Sequence, residues 1–400
     1  MQGVRIWSAD PNLFERNWKA DSLGASGCRR RLFTPLRTDR PKFSSIGMDS
    51  PRGFQKIERG FLRIRYAGFM QLPTLSQIHD AQSIVYRHMP PTPQYRWPLI
   101  EARLSAGKPA GTVTGTEAWI KHENHTPVGA FKLRGALVHG YWLKETQPEL
   151  AGVVAATRGN HGQGVAMAAR LLRLKAVIVV PHGNDKDKNR AIQAQDAELV
   201  EHGHDFQASL EFARTLAVER GFAMVDSFHE RLVMGTATYA LELFKAAPPL
   251  ERVYVPIGLG SSICGVAAAR NALGMKTEII GVVAAKSPSY SLSFKQRKIV
   301  EAPATTAISD GQACRTPNKD AMEIIWSNVA RMVEVSDAEI AEAMRAYFQD
   351  THNVAEGAGA AALAGALQEK EDLAGKRIGI VLSGGNVDSE KFERVLTGVL

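Results

Sequence analysis

Residues 126–136 read T-P-V-G-A-F-K-L-R-G-A, and the rest of the chain can be placed relative to them. Pro127 and Gly129 mark a turn, and Leu133, Ala136 and Leu137 begin an amphipathic helix directly after Lys132. A lysine in the first turn of a helix meets the partial positive charge of that terminus. In a partly apolar setting its pKa falls, and a neutral amine attacks an aldehyde. Taken alone, a solvated surface lysine is the commoner reading. Three stretches downstream reverse it.

Short apolar strands alternate with helices on the C-terminal side. Expected strands lie at 153–156, 176–180, 198–200, around Val225, and at 252–257, 278–283 and 377–382. Helices are expected at 162–172, 186–195, 206–220, 232–246, 263–273, 336–351 (opened by the capping box Ser336-x-x-Glu339) and 355–367. Before Lys132, residues 75–88 read as a helix, 90–93 as an extended Pro-rich segment and 115–121 as a strand. The fold class is therefore α/β, with mostly parallel twisted sheets flanked by helices, and 400 residues fit two lobes. We expect a larger lobe from 71–149 plus 232–400 and a smaller one from 150–231, with the site between them. Sites in such folds lie at the carboxyl ends of strands.

Three loops occupy such ends. The first, T-R-G-N-H-G-Q-G (157–164), offers glycines and free N–H groups for a carboxylate, and Asn160 as a donor. The second, G-L-G-S-S-I-C-G (258–265), reads as a phosphate cradle of backbone N–H groups with two hydroxyls. It is a poor dinucleotide fingerprint, because Ile263 stands where G-x-G-x-x-G needs glycine, and it lacks the G-K-[ST] of a P-loop. The third is S-G-G-N (383–386). Each could be a plain turn. Together, a nucleophilic lysine, one phosphate cradle and polar loops suit a cofactor with an aldehyde and a single phosphate, and pyridoxal phosphate fits.

The net charge of +8 resembles a nucleic-acid signal until it is located. Residues 1–69 hold 14 basic and 6 acidic residues, and the remainder carries 35 of each. The body is neutral, so neither nucleic acid nor membrane is an expected partner. The basic leader reads as disordered or loosely attached, or as lying outside a working enzyme whose translation starts at Met70. No apolar run reaches the length of a membrane span, and no secretory segment appears. Cys28, Cys264 and Cys314 are widely spaced and odd in number, which points to a reducing compartment, the cytoplasm.

F-K-L-R-G-A (131–136), G-N-H-G-Q-G (159–164), the loop 258–265, A-E-G-A-G-A (355–360) and S-G-G-N (383–386) occur in the order seen in threonine/serine dehydratases. The chain resembles that family, of the fold type II (tryptophan synthase β-like) pyridoxal phosphate enzymes, over roughly 78–399. The resemblance implies that Lys132 forms the internal Schiff base and later acts as base at the substrate Cα. It implies that Phe131 packs beside the ring, Asn160 binds the ring oxygen and Ser383 faces the pyridine nitrogen. Gly258, Gly260, Ser261 and Ser262 would hold the phosphate, with Thr157, Arg158, Gly159 and His161 around the substrate. The implied activity is an ammonia-lyase converting a β-hydroxy amino acid, by default threonine or serine, to a 2-oxo acid and ammonia, in a homodimer.

The chain departs from the family at several points. Thr157 and Arg158 replace two small residues, often serines, and the second of those serines serves racemases as an acid/base. Arg158 thus argues against racemisation by that route; it would bind a substrate carboxylate or point to solvent. Leu259 and Ser261 replace two glycines of the phosphate loop. Residues 281–286 carry no acid, so the divalent-cation site of some members is expected to be absent. The chain ends 14 residues after Asn386, so no C-terminal regulatory domain is expected. The alternatives are an amino-acid racemase or β-replacement enzyme and, from another class, a nucleotide-binding oxidoreductase.

Overall fold

The computed structural model describes residues 70–105 and 115–399, within a unit spanning Tyr66–Leu400. The basic leader, with Cys28, lies outside the described residues. Six strands form the first sheet: β1 (Gln94–Arg96), β2 (Glu117–His122), β7 (Arg252–Pro256), β8 (Glu278–Ala284), β9 (Arg331–Val335) and β10 (Arg377–Leu382). Their order is β1-β2-β10-β7-β8-β9, and only β1 runs antiparallel. The second sheet holds β3 (Gly152–Ala156), β4 (Lys175–Val180), β5 (Glu198–Glu201) and β6 (Ala223–Met224) in the order β5-β4-β3-β6, all parallel. Strands such as β4, K-A-V-I-V-V, are almost continuously apolar because helices cover both faces.

The helices are α1 (Leu75–Val85), α2 (Pro98–Leu104), α3 (Lys132–Thr146), α4 (Asn160–Leu171), α5 (Lys186–Gln193), α6 (Phe206–Arg220) and α7 (Glu230–Ala246). They continue with α8 (Ser261–Ala272), α9 (Ser289–Gln296), α10 (Lys319–Asn328), α11 (Asp337–Thr351), α12 (Gly357–Gln368) and α13 (Ser389–Leu396). The α11 capping box forms as expected. Helix α12 reads G-A-G-A-A-A-L-A-G-A-L-Q and is buried from Gly357 to Ala366. Its small residues let it lie close to the sheet: a Cβ on Gly359 would strike the Gly384 carbonyl, and one on Gly365 would meet Val282.

Three expectations are corrected. Helices α4 and α8 start at Asn160 and Ser261, earlier than read, so residues assigned to loops form first turns; Asn, Gly and Ser are weak helix formers and mask the boundary. Strand β6 stops at Met224, although the Val225 N–H still bonds the Val154 carbonyl at 2.8 Å. Elements β1, α2, α9, α10, β9 and α13 were not anticipated.

Strand order explains how distant motifs meet. Because β10 lies between β2 and β7, Ser383 emerges between the lysine stretch after β2 and the small-residue turn after β7. The lysine stretch is sewn to the 383–386 loop directly. Phe131 N–H donates to the Ser383 carbonyl (3.1 Å) and Gly385 N–H to that of Gly129 (2.9 Å). Gly129 has φ +68°, a conformation that glycine adopts without strain.

Candidate active site

A cavity of about 640 Å³ opens where these strand ends converge. Phe131 and Lys132 line it from the start of α3, and Thr157, Arg158, Gly159, Asn160 and His161 from the β3–α4 turn. Gly258, Gly260, Ser261 and Ser262 line it from the β7–α8 turn, and Ser383 from the end of β10. The residues expected to hold cofactor or substrate therefore all border one space.

Lys132 Nζ lies 3.3 Å from Ser261 Oγ and 4.9 Å from the centre of the Phe131 ring. Burial pushes its pKa down to about 8, with Glu356 acting in the opposite direction. Burial, with help from Lys132, lowers His161 to about 4; its Nε2 lies 3.2 Å from the Val225 carbonyl oxygen. The amine is thus poised near neutrality and the imidazole beside it is uncharged.

Helices α3, α4, α8 and α12 all begin at the cavity wall, and none has a side-chain N-cap. Helix α6 also begins at this wall but is capped by Asp205, and α5, α10 and α13 are capped by Asp185, Asn318 and Asp388. The uncapped ends leave N–H groups free for an anion. At the start of α8, Gly260 has φ +98°, and a Cβ on Gly258 would strike the Gly311 carbonyl. These glycines keep the turn narrow beside the free N–H groups.

Two site residues escaped the sequence reading. Glu356, in a motif that was noted, accepts from Asn160 Nδ2 at 2.5 Å. Burial raises its carboxyl above the usual range, against Lys188 and Asn160. Lys188 Nζ lies 3.7 Å from Glu356, 3.7 Å from Asp310 and 4.0 Å from Asp185. Burial opposes its charge, but these carboxylates outweigh burial and raise its pKa. Asn160 is fixed from both sides, since its Oδ1 accepts from Asn386 Nδ2 at 2.8 Å.

Residues 93–384 match the family described as pyridoxal-phosphate dependent enzyme. The chain belongs to that family. It is 34% identical over 285 residues to an L-threonine ammonia-lyase of Thermotoga maritima, covering 71% of each chain. It is 31% identical over 330 residues to an L-threo-3-hydroxyaspartate ammonia-lyase of Saccharomyces cerevisiae, covering 82% of this chain and 98% of that one. The fold resembles a pyridoxal 5'-phosphate-dependent aspartate racemase (TM-score 0.74, 28% identity, covering 81% of this chain and 99% of that one). It also resembles a threonine deaminase of T.th. (TM-score 0.71, 29% identity, covering 79% and 99%).

The cofactor is pyridoxal 5'-phosphate, and the residues fit it: a half-buried amine that could take the aldehyde stands beside an uncapped, glycine-narrowed helix start that could take the phosphate. Family membership sets aside the nucleotide-binding oxidoreductase. No described helix is long and apolar enough to cross a membrane.

Proposed function

We propose that this protein removes water from a β-hydroxy amino acid, with threonine and serine as default substrates, to give a 2-oxo acid and ammonia. The observation that carries the reading is the 3.3 Å approach of the Lys132 amine to Ser261 at the head of α8. The ammonia-lyase relatives support it.

When bound, the cofactor supplies an electron sink for the pair left at the substrate Cα. Lys132 would hold it covalently, and the same neutral amine would take the Cα proton. Gly258, Gly260, Ser261 and Ser262 would hold the phosphate through N–H and hydroxyl groups. Asn160, oriented by Glu356 and Asn386, would donate to the ring oxygen, and Phe131 would flank the ring. Ser383 would face the ring nitrogen with a neutral hydroxyl, which moderates the sink and suits prompt loss of the β-hydroxyl. Thr157, Arg158, Gly159 and His161 would surround the substrate.

The same reading assigns residues 71–149 plus 232–400 to a larger lobe and 150–231 to a smaller one that closes over substrate. All strands of the four-stranded sheet fall within the second range, which supports the division. Likeness to the dehydratases supports a homodimer. The free thiols of Cys264 and Cys314 suit the cytoplasm. The racemase reading draws on the fold likeness alone, and Arg158 remains against it.

A panel of β-hydroxy amino acids scored for 2-oxo acid and ammonia tests the proposal. Release from at least one member is expected. Binding of the cofactor with no release from any of them would overturn it.

A further inference from the structure

We propose that Arg158 is a specificity-determining residue that receives a second carboxylate on the substrate side chain, so that the preferred substrate is an acidic β-hydroxy amino acid. This rests on the ammonia-lyase reading of the same cavity.

Among the described residues, the basic side chains lining the cavity are matched with one exception. Lys132 is reserved for the cofactor. Lys188 faces Glu356, Asp310 and Asp185, and Arg315 Nη1 lies 3.8 Å from Asp205. Arg158 borders the cavity with an exposed side chain and makes no hydrogen bond or ion pair among the described residues. Asp310 feels its charge but is already held by Lys391 at 2.9 Å and faces Lys188 at 3.7 Å. A free guanidinium in a cavity is a bidentate receptor for a carboxylate.

The α-carboxylate common to all amino acids does not require it. Thr157 Oγ1 accepts the N–H groups of Gly159 (2.8 Å) and Gly162 (3.2 Å), which fixes the turn. Helix α4 then begins at Asn160 with Gly159 as its N-cap, and beyond the Gly162 N–H held by Thr157 its first-turn N–H groups remain at the cavity wall for one carboxylate. Arg158 is the additional cation. A substrate with a neutral side chain would leave it unmatched, whereas one with a carboxylate beyond Cβ would pair with it.

The test uses the holoenzyme with threo-3-hydroxyaspartate and threonine. A kcat/KM ratio of at least about tenfold in favour of the dicarboxylate is expected. Arg158→Gln should lower that ratio roughly a hundredfold, mainly through KM, and Arg158→Lys should restore part of it. A wild-type preference for threonine, or equal loss on both substrates in Arg158→Gln, would overturn the proposal. Calorimetric binding of L-aspartate against L-2-aminobutyrate separates it from the underlying reading. Tighter aspartate binding that Arg158→Gln abolishes supports the subsite even if no ammonia is released. Equal binding overturns the subsite even if threonine is deaminated.

Discussion

Lys132 Nζ and Ser261 Oγ stand 3.3 Å apart although 129 residues separate them in sequence. The sheet order β2-β10-β7 produces this approach by placing the α3 and α8 starts on either side of Ser383. The strand order thus brings a lysine amine and the start of an uncapped helix to one point.

The amine's titration should be visible in the cofactor-free protein. Burial lowers Lys132 to about 8, so the rate of aldehyde uptake should rise with pH around a midpoint near 8. An ordinary lysine would give a midpoint near ~10.4. Stopped-flow absorbance across pH 6.5–11 measures it, and a midpoint above about 10 would contradict the burial argument.

The same shift has a stability consequence. The unfolded chain binds more protons at Lys132 than the folded one between the two pKa values, so this group's contribution rises with pH there. Its penalty is fully present below about 8 and fades above that value. Apo wild type should therefore gain thermal stability relative to Lys132→Met between about pH 8 and 10.4. Parallel curves for the two proteins over that window would contradict this.

Two residues beyond Lys132, Arg134 is wholly buried, with Nε 2.7 Å from Glu123 and Nη1 2.6 Å from Glu242. Lys121 joins Glu242 at 2.6 Å. Arg134→Met would strand carboxylates in the interior and should cost about 3–5 kcal/mol in denaturant unfolding. The exposed pair Arg220–Glu198, at 2.9 Å, is the control, and Arg220→Ala should leave the unfolding midpoint close to that of the wild type.

Helices α3 and α7 cross on glycine. A Cβ on Gly235 would land on the Arg134 carbonyl and the Gly135 Cα. Gly235→Ala should cost roughly 1–3 kcal/mol by overpacking. Because α3 begins at Lys132, it should also weaken cofactor binding, measured by titration with pyridoxal phosphate. Unchanged stability would mean that the crossing relaxes freely.

Much of this was legible in the sequence where local signals were strong. The Ser336–Glu339 capping box gave α11, and apolar periodicity gave α6 and β10 with the bounds observed. The cavity loops announced themselves as small-residue runs at strand ends. Strand β1, Q-Y-R, has three residues and one pairing partner, so it leaves no alternation to detect. Helix α2 has seven residues and opens on a proline after Trp97. Glu356 and Lys188 acquire their meaning only from each other, at 3.7 Å, from opposite parts of the chain.

The most direct measurement is the absorbance spectrum of purified protein reconstituted with pyridoxal phosphate, compared with Lys132→Ala. The wild type should show the visible band of a lysine-bound cofactor, and the variant should lack it while keeping the same circular dichroism. An identical band in Lys132→Ala, or none in either protein, would contradict the assignment of Lys132 as the residue that holds the cofactor.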